Sequence, residues 1–169
     1  AGGHAGTISP FALIQEIREW YNGPIALSGS ISTGQGILSA LASGADFGYI
    51  GSAFIATKEA NASVNYKDAI TKYNSDDIVY TDLVTGVKGN YLKPSLAAAG
   101  FDPENLPKSD PSKMDFSSGD GMDKKKAWKD IWGCGQGIGS IKEILSCNQL
   151  VDKLSLEYNQ AKNRLNKIA

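Results

Sequence analysis

Pro24-Ile25-Ala26-Leu27-Ser28 followed by Gly29-Ser30, and Phe47-Gly48-Tyr49-Ile50 followed by Gly51-Ser52, are the stretches from which the fold is read. Each is a short apolar run of strand length that ends in a Gly-Ser turn. Between them Ser32 or Thr33 can cap a helix that runs to about Ala42, with Gly44 as its C-terminal stop. Upstream, Ser9-Pro10 starts another helix, with a hydroxyl oxygen at the cap and a preset φ at the first helical position. That helix extends from Phe11 to Tyr21, places Leu13, Ile17 and Trp20 on one face, and is stopped by Asn22-Gly23-Pro24. Helix, strand, helix, strand predicts a parallel α/β sheet. Connections this short fit a barrel or an open doubly wound sheet. In both, ligands bind at the C-terminal edge of the strands, where the Gly-Ser turns fall.

The rest of the chain changes character. Ala56 to Tyr73 reads as a helix, with Ala60, Val64 and Ala69 near one face. Ile78 to Thr81 reads as a strand. Pro94, Pro103, Pro107 and Pro111 crowd the stretch from Asn74 to Ser118, and Lys108 to Asp123 is a polar Gly/Ser/Pro-rich surface loop. A short basic amphipathic segment begins at Lys124. Gly133 to Gly139 is a glycine cluster, read as a close-packed turn that opens a helix. Ile141, Ile144, Leu145, Val151, Leu154, Tyr158, Leu165 and Ile168 then recur at helical spacing, as a packing stripe rather than a coiled coil. This gives three expected regions: residues 1–60 with the strands, an insert over 61–123, and C-terminal helices over 124–169.

Composition narrows the function. The chain has 169 residues, one domain's worth, and is 41% hydrophobic and 21% charged, so it can bury a core. Seventeen basic against eighteen acidic residues leave a net charge of −1, which speaks against nucleic acid or a membrane surface as the default partner. No apolar run reaches the roughly 18–20 residues of a membrane span, and no apolar leader opens the chain, so a cytoplasmic protein is expected. Two cysteines, Cys134 and Cys147, do not make a disulfide framework, and the one histidine, His4, excludes a multi-His metal centre within the chain. The opening Ala1-Gly2-Gly3-His4 has no methionine and almost no lead-in. The expectation is that an upstream half is missing and that Gly2-Gly3 sit at the end of one of its strands.

His4 is the first candidate for chemistry. Gly2, Gly3 and Gly6 around it leave the backbone open to a ligand, and an imidazole can exchange a proton near neutral pH. Ser28-Gly29-Ser30 and Gly51-Ser52 are the second. Turns at the ends of neighbouring strands can aim backbone N–H groups and hydroxyls at one anion, helped by a helix N-terminus, and glycine lets the anion approach. The glycines of 133–139 do not make a dinucleotide fingerprint: the third position is Ser140, and no clear strand precedes. Lys124-Lys125-Lys126 is read as solvated surface and the two thiols as buried or incidental.

Four of these landmarks resemble one family. Ala1-Gly2-Gly3-His4-Ala5-Gly6 is similar to the AGGHxG motif of the nitronate monooxygenases. Ser28 to Ile31, with Gly34, Gly36 and Ala40 to Ala45, resembles that family's second glycine-rich stretch. Tyr49 to Phe54 with Ala56-Thr57-Lys58-Glu59 resembles its third, and Trp132 to Gly139 a later one. The likeness is good over residues 1–60 and fair over 128–145. It implies an α/β fold, the C-terminal part of a (β/α)8 TIM barrel with an added, mostly helical substrate region. It further implies FMN as cofactor, nitronate and O2 as reactants, and the missing N-terminal half and a second copy as partners. Gly2, Gly3, Gly29, Ser30, Gly51 and Ser52 fall on the family's FMN-phosphate positions, and His4 on its catalytic histidine. Ser30 departs from the family's usual second glycine. The alternatives are a flavin-dependent enoyl-thioester reductase of the same superfamily and a non-catalytic nucleotide-binding module.

Overall fold

The computed structural model describes residues 2–107 and 130–168. Helix α1 (Pro10–Arg18) leads to strand β1 (Ala26–Ser28), helix α2 (Gly34–Ala42) and strand β2 (Phe47–Tyr49). β1 and β2 pair in parallel, Ala26 opposite Phe47 and Ser28 opposite Tyr49, with α2 as the crossover. This is the βαβ unit that the two Gly-Ser stretches predict. Thr33 caps α2 by accepting from the Gly36 N–H (3.1 Å), and Gly44, at φ 109°, turns the chain out of it. Ser9 makes no side-chain cap bond, and α1 ends at Arg18, before Tyr21. The buried residue of α1 is Ile14, whereas Trp20, expected on the inner face, lies past the helix end and is exposed.

Leu27 of β1 points into a cluster with Ile14, Ile25, Ile31, Ala40 and Ala45, so that face of the sheet packs on α1 and α2. The opposite face carries Phe47 and Tyr49, 61% and 65% exposed. Arg18 locks the two strand starts. Its guanidinium donates to the carbonyls of Gly44 (2.8 Å) and Gly23 (2.6 Å) and to Asp46 Oδ2 (2.7 Å), which also accepts from the Ile25 N–H (2.7 Å).

After β2 come the short helix α3 (Ser52–Ile55) and helix α4 (Val64–Lys72). The single helix expected over 56–73 is therefore broken: Ser63 caps α4 by accepting from the Tyr66 N–H (3.3 Å), and residues 56–63 are not helical. Strand β3 (Ile78–Thr81), as expected, pairs antiparallel with β4 (Gly89–Leu92), which leads into helix α5 (Lys93–Ala98). The expected loop at 108–123 and the basic segment with Lys124-Lys125-Lys126 lie outside the described residues, apart from Asp130 and Ile131 at its end.

Helix α6 (Cys147–Leu165) closes the described chain. Ser146 and Gln149 form a reciprocal cap at its start. Its buried stripe is Leu150, Leu154 and Ala161. Ile141, Ile144 and Leu145 precede the helix, and Val151, Leu165 and Ile168 are exposed, so the expected stripe is shifted. α6 packs against α2 at backbone contact. The Gly34 N–H donates to Glu157 Oε2 (2.8 Å), and a Cβ on Gly34 would meet the α6 main chain.

Candidate active site

The C-terminal ends of β1 and β2 open onto a cavity of about 280 Å³. Gly3, His4, Gly29, Ser30, Gly51 and Ser52 line it, so six of the seven predicted site residues meet in one place. Gly2 lies behind them. At φ 70° it has no room for a side chain, since a Cβ would stand 2.5 Å from Ser30 Oγ and 2.8 Å from Gln136 Cδ.

The two turns are built differently. Gly29 and Ser30 take consecutive positive φ values, 98° and 58°. Glycine takes such a conformation without strain, and the turn brings its backbone to the edge of the cavity. Gly3 presses against this turn: a Cβ there would be 3.2 Å from Gly29 Cα. Gly51, at φ −109°, faces open space, with nothing within 4 Å of a Cβ. Ser52 Oγ accepts from the Gly135 N–H (2.8 Å), which leaves its hydroxyl proton to donate. At the α2 N-terminus the Gly34 N–H donates to Glu157 and the Gly36 N–H to Thr33.

The glycine cluster supplies the far wall, a role that packing arguments missed. Gly133, Cys134, Gly135 and Gly137 all line the cavity. The segment opens a 3-10 turn, Gln136–Ser140, rather than an α-helix. Its glycines allow close approach: a Cβ on Gly137 would stand 2.8 Å from the Ser30 carbonyl oxygen, and one on Gly135 3.2 Å from that of Gly2. Ser32 Oγ donates to the Gly137 carbonyl (2.6 Å). From the other side α4 holds the wall, since the Tyr66 hydroxyl donates to the Gly133 carbonyl and its ring stacks on Trp132 at 5.4 Å. Burial raises the Tyr66 hydroxyl above its ordinary range, which keeps the donated proton in place. Burial likewise pushes the Cys134 thiol up to about 12, so this cavity sulfur is a neutral, unreactive group.

His4 is exposed and borders the cavity. Its ring meets Tyr91 edge to face at 5.7 Å. Among the described residues no group of three or more His, Cys, Asp or Glu could hold a metal ion. Among them, too, no helix is long and apolar enough to cross a membrane.

Parallel strands joined by a helix, with the cavity at their C-terminal edge, define the class: this is the C-terminal part of a (β/α)8 barrel with an added, mostly helical region. Two solved structures share the arrangement. FabK from Thermotoga maritima superposes with a TM-score of 0.75 at 22% identity, over 100% of this chain and 55% of that one. A nitroalkane oxidase from Streptomyces ansochromogenes superposes with a TM-score of 0.72 at 26% identity, over 98% and 51%. The family model of nitronate monooxygenase matches residues 1–157, and the chain belongs to that family. Similar proteins include a nitronate monooxygenase of Paraburkholderia phytofirmans, 26% identical over 100% of this chain and 50% of its own length. A probable nitronate monooxygenase of Bacillus subtilis is 29% identical over 93% and 49%. The chain thus spans about half the length of these relatives.

Proposed function

We propose that this chain is the phosphate-binding and catalytic part of an FMN-dependent nitronate monooxygenase. Such an oxidoreductase uses O2 to oxidise alkyl nitronates, with a carbonyl compound and nitrite among the products. The observation that carries the reading is the meeting of one imidazole and two Gly-Ser turns at a single cavity, in a chain of this family. The residues present fit a flavin phosphate. Gly51 leaves open the space that a side chain would fill, the Gly29-Ser30 turn, with Gly3 against it, brings its backbone to the rim, and the Ser52 hydroxyl has a proton left to donate. The backbone at these residues would hold the phosphate, with Gly2 keeping the Ser30 turn in register. FMN held there would supply the redox chemistry, oxidation of the nitronate coupled to reduction of O2.

His4 has two tasks in this scheme. Toward a nitronate it is a hydrogen-bond donor that holds the anion. Toward a neutral nitroalkane it is the base: the proton leaves the carbon beside the nitro group for the unprotonated imidazole nitrogen, and the C–H electron pair moves into the nitro group. The reaction then needs no cysteine, in keeping with the neutral Cys134 thiol.

Two variants test the reading in flavin-loaded protein. Gly51→Val should lower flavin content with little effect on the fold, because nothing lies within 4 Å of the added Cβ. His4→Asn should keep flavin and lose about 10²–10⁴-fold in turnover of a neutral nitroalkane, the usual worth of a general base. The loss on preformed nitronate should be much smaller. Consumption of NAD(P)H with an enoyl thioester, without nitrite release from nitronate, would place the protein with the reductases instead. Unchanged flavin content in Gly51→Val would remove the phosphate assignment.

A further inference from the structure

We propose that the β3–β4 ribbon is the platform that sets the pose of His4, with Asn90 as its positioning residue; this rests on the reading of His4 as a base. His4 sits in a loop rather than in one of the described strands. A catalytic group on a loop needs its geometry imposed by neighbours. Three successive carbonyls around it are bound from residues far along the chain. The Gln136 N–H donates to Gly2 (2.7 Å), Asn90 Nδ2 to Gly3 (2.6 Å), and the Asn90 N–H to His4 itself (2.7 Å). Asn90 therefore grips both peptide groups that flank the His4 side chain, one with its main chain and one with its amide. It is 2% exposed, and its own carbonyl accepts from the Cys134 N–H (3.2 Å), which ties the grip to the cavity wall. From β3, the Tyr80 hydroxyl accepts from the Gly6 N–H (3.3 Å) and steadies the end of the same loop.

The ring is fitted as closely as the backbone. A Cβ on Gly89 would stand 3.1 Å from Tyr91 Cε2 and 3.2 Å from His4 Cε1, and one on Gly133 3.1 Å from His4 Nδ1. The imidazole thus lies against two positions where an added Cβ would press it by a few tenths of an ångström, and the Tyr91 ring, which meets it edge-on, would be pressed from Gly89 as well. Neither glycine needs its identity for a left-handed backbone, since neither has a positive φ. Their smallness serves packing, the His4 ring included.

The test uses flavin-loaded protein, nitroethane and its preformed nitronate. Asn90→Ala should lower kcat on nitroethane about 10–10²-fold, the scale of a small misplacement of a catalytic group. Nitronate turnover should fall much less, with flavin content unchanged. Gly89→Ala keeps every Asn90 bond and crowds the ring, so it decides the matter where Asn90→Ala fails to fold; it should show the same selective loss. The double variant His4→Asn/Asn90→Ala should be no slower than His4→Asn alone, because a residue acting through His4 has nothing left to position. Equal losses on both substrates, or losses that multiply in the double variant, would overturn the positioning role. If His4→Asn loses nitroethane turnover while neither Asn90→Ala nor Gly89→Ala does, the positioning inference falls and the reading of His4 stands. If His4→Asn changes neither rate, both fall.

Discussion

At Ser30 the backbone holds φ 58°, the left-handed region that favours glycine. A side chain there costs about 1–2 kcal/mol. The conformation explains why the family's pattern has glycine where this sequence has serine. Ser30→Gly should raise stability by about 0.5–1 kcal/mol, the strain relieved less the extra freedom glycine gains when unfolded. Flavin content should be kept, since the backbone N–H remains; denaturant melts and flavin spectra check both. The two thiols differ in the same local way. Cys134 is 3% exposed with its thiol pushed up to about 12, whereas Cys147 is only half-buried at the start of α6, its Sγ 3.6 Å from Thr57 Oγ1. Iodoacetamide at pH near 8 should label Cys147 and leave Cys134 untouched in the native protein, as peptide mapping would read. Labelling of Cys134 at a comparable rate would mean that its wall opens.

At the scale of elements, the packing of α2 on α6 has the least tolerance. Gly34 begins α2 against the α6 main chain. Gly34→Ala should cost about 3 kcal/mol, the upper end for overpacking, and lower Tm by roughly 6–12 °C. The Arg18–Asp46 clamp makes a pH-dependent contribution. The Ile25 N–H, then the Arg18 guanidinium, hold the Asp46 carboxyl below its ordinary value of 3.8. A folded pKa below the unfolded one adds stability that is present above the unfolded value and lost as pH falls through the folded one. Wild type and Asp46→Asn should therefore differ in Tm at neutral pH and converge on acidification below 3.8. The βαβ unit was legible because its signals are local: an apolar run, a Gly-Ser turn, a Thr33 cap, a Gly44 stop. β4 was not. Gly89-Asn90-Tyr91-Leu92 is buried throughout, so it shows no alternation, and Asn90 bonds Gly3 from 87 residues away. The glycine cluster is close-packed as read, but its place in the cavity wall was hidden for the same reason. Its glycines answer to Gly2 and Ser30, which adjacent sequence does not reveal.

For the whole molecule, the decisive feature is the uncovered face of β1 and β2. Inward-facing positions of a barrel alternate with those that meet the helices. Leu27 meets α1 and α2, so Ala26, Ser28, Phe47 and Tyr49 are the inward set. A two-stranded sheet is marginal in water, and the two large aromatics on that face are more than half exposed. The relatives are about twice as long, enough extra chain to cover such a face. Residues 1–169 expressed alone should therefore bind the dye ANS and self-associate, and the amides of β1 and β2 should exchange faster than those of α2 and α6. Supplying a matched N-terminal half in trans should suppress dye binding and slow exchange at Phe47 to Tyr49. Phe47→Ser should reduce dye binding by the isolated chain, yet weaken its assembly with that half, because the same ring would be core in the assembled barrel. Slow exchange and no dye binding in the isolated chain would mean that this face is closed by other means, and the barrel reading of β1 and β2 would have to be revised.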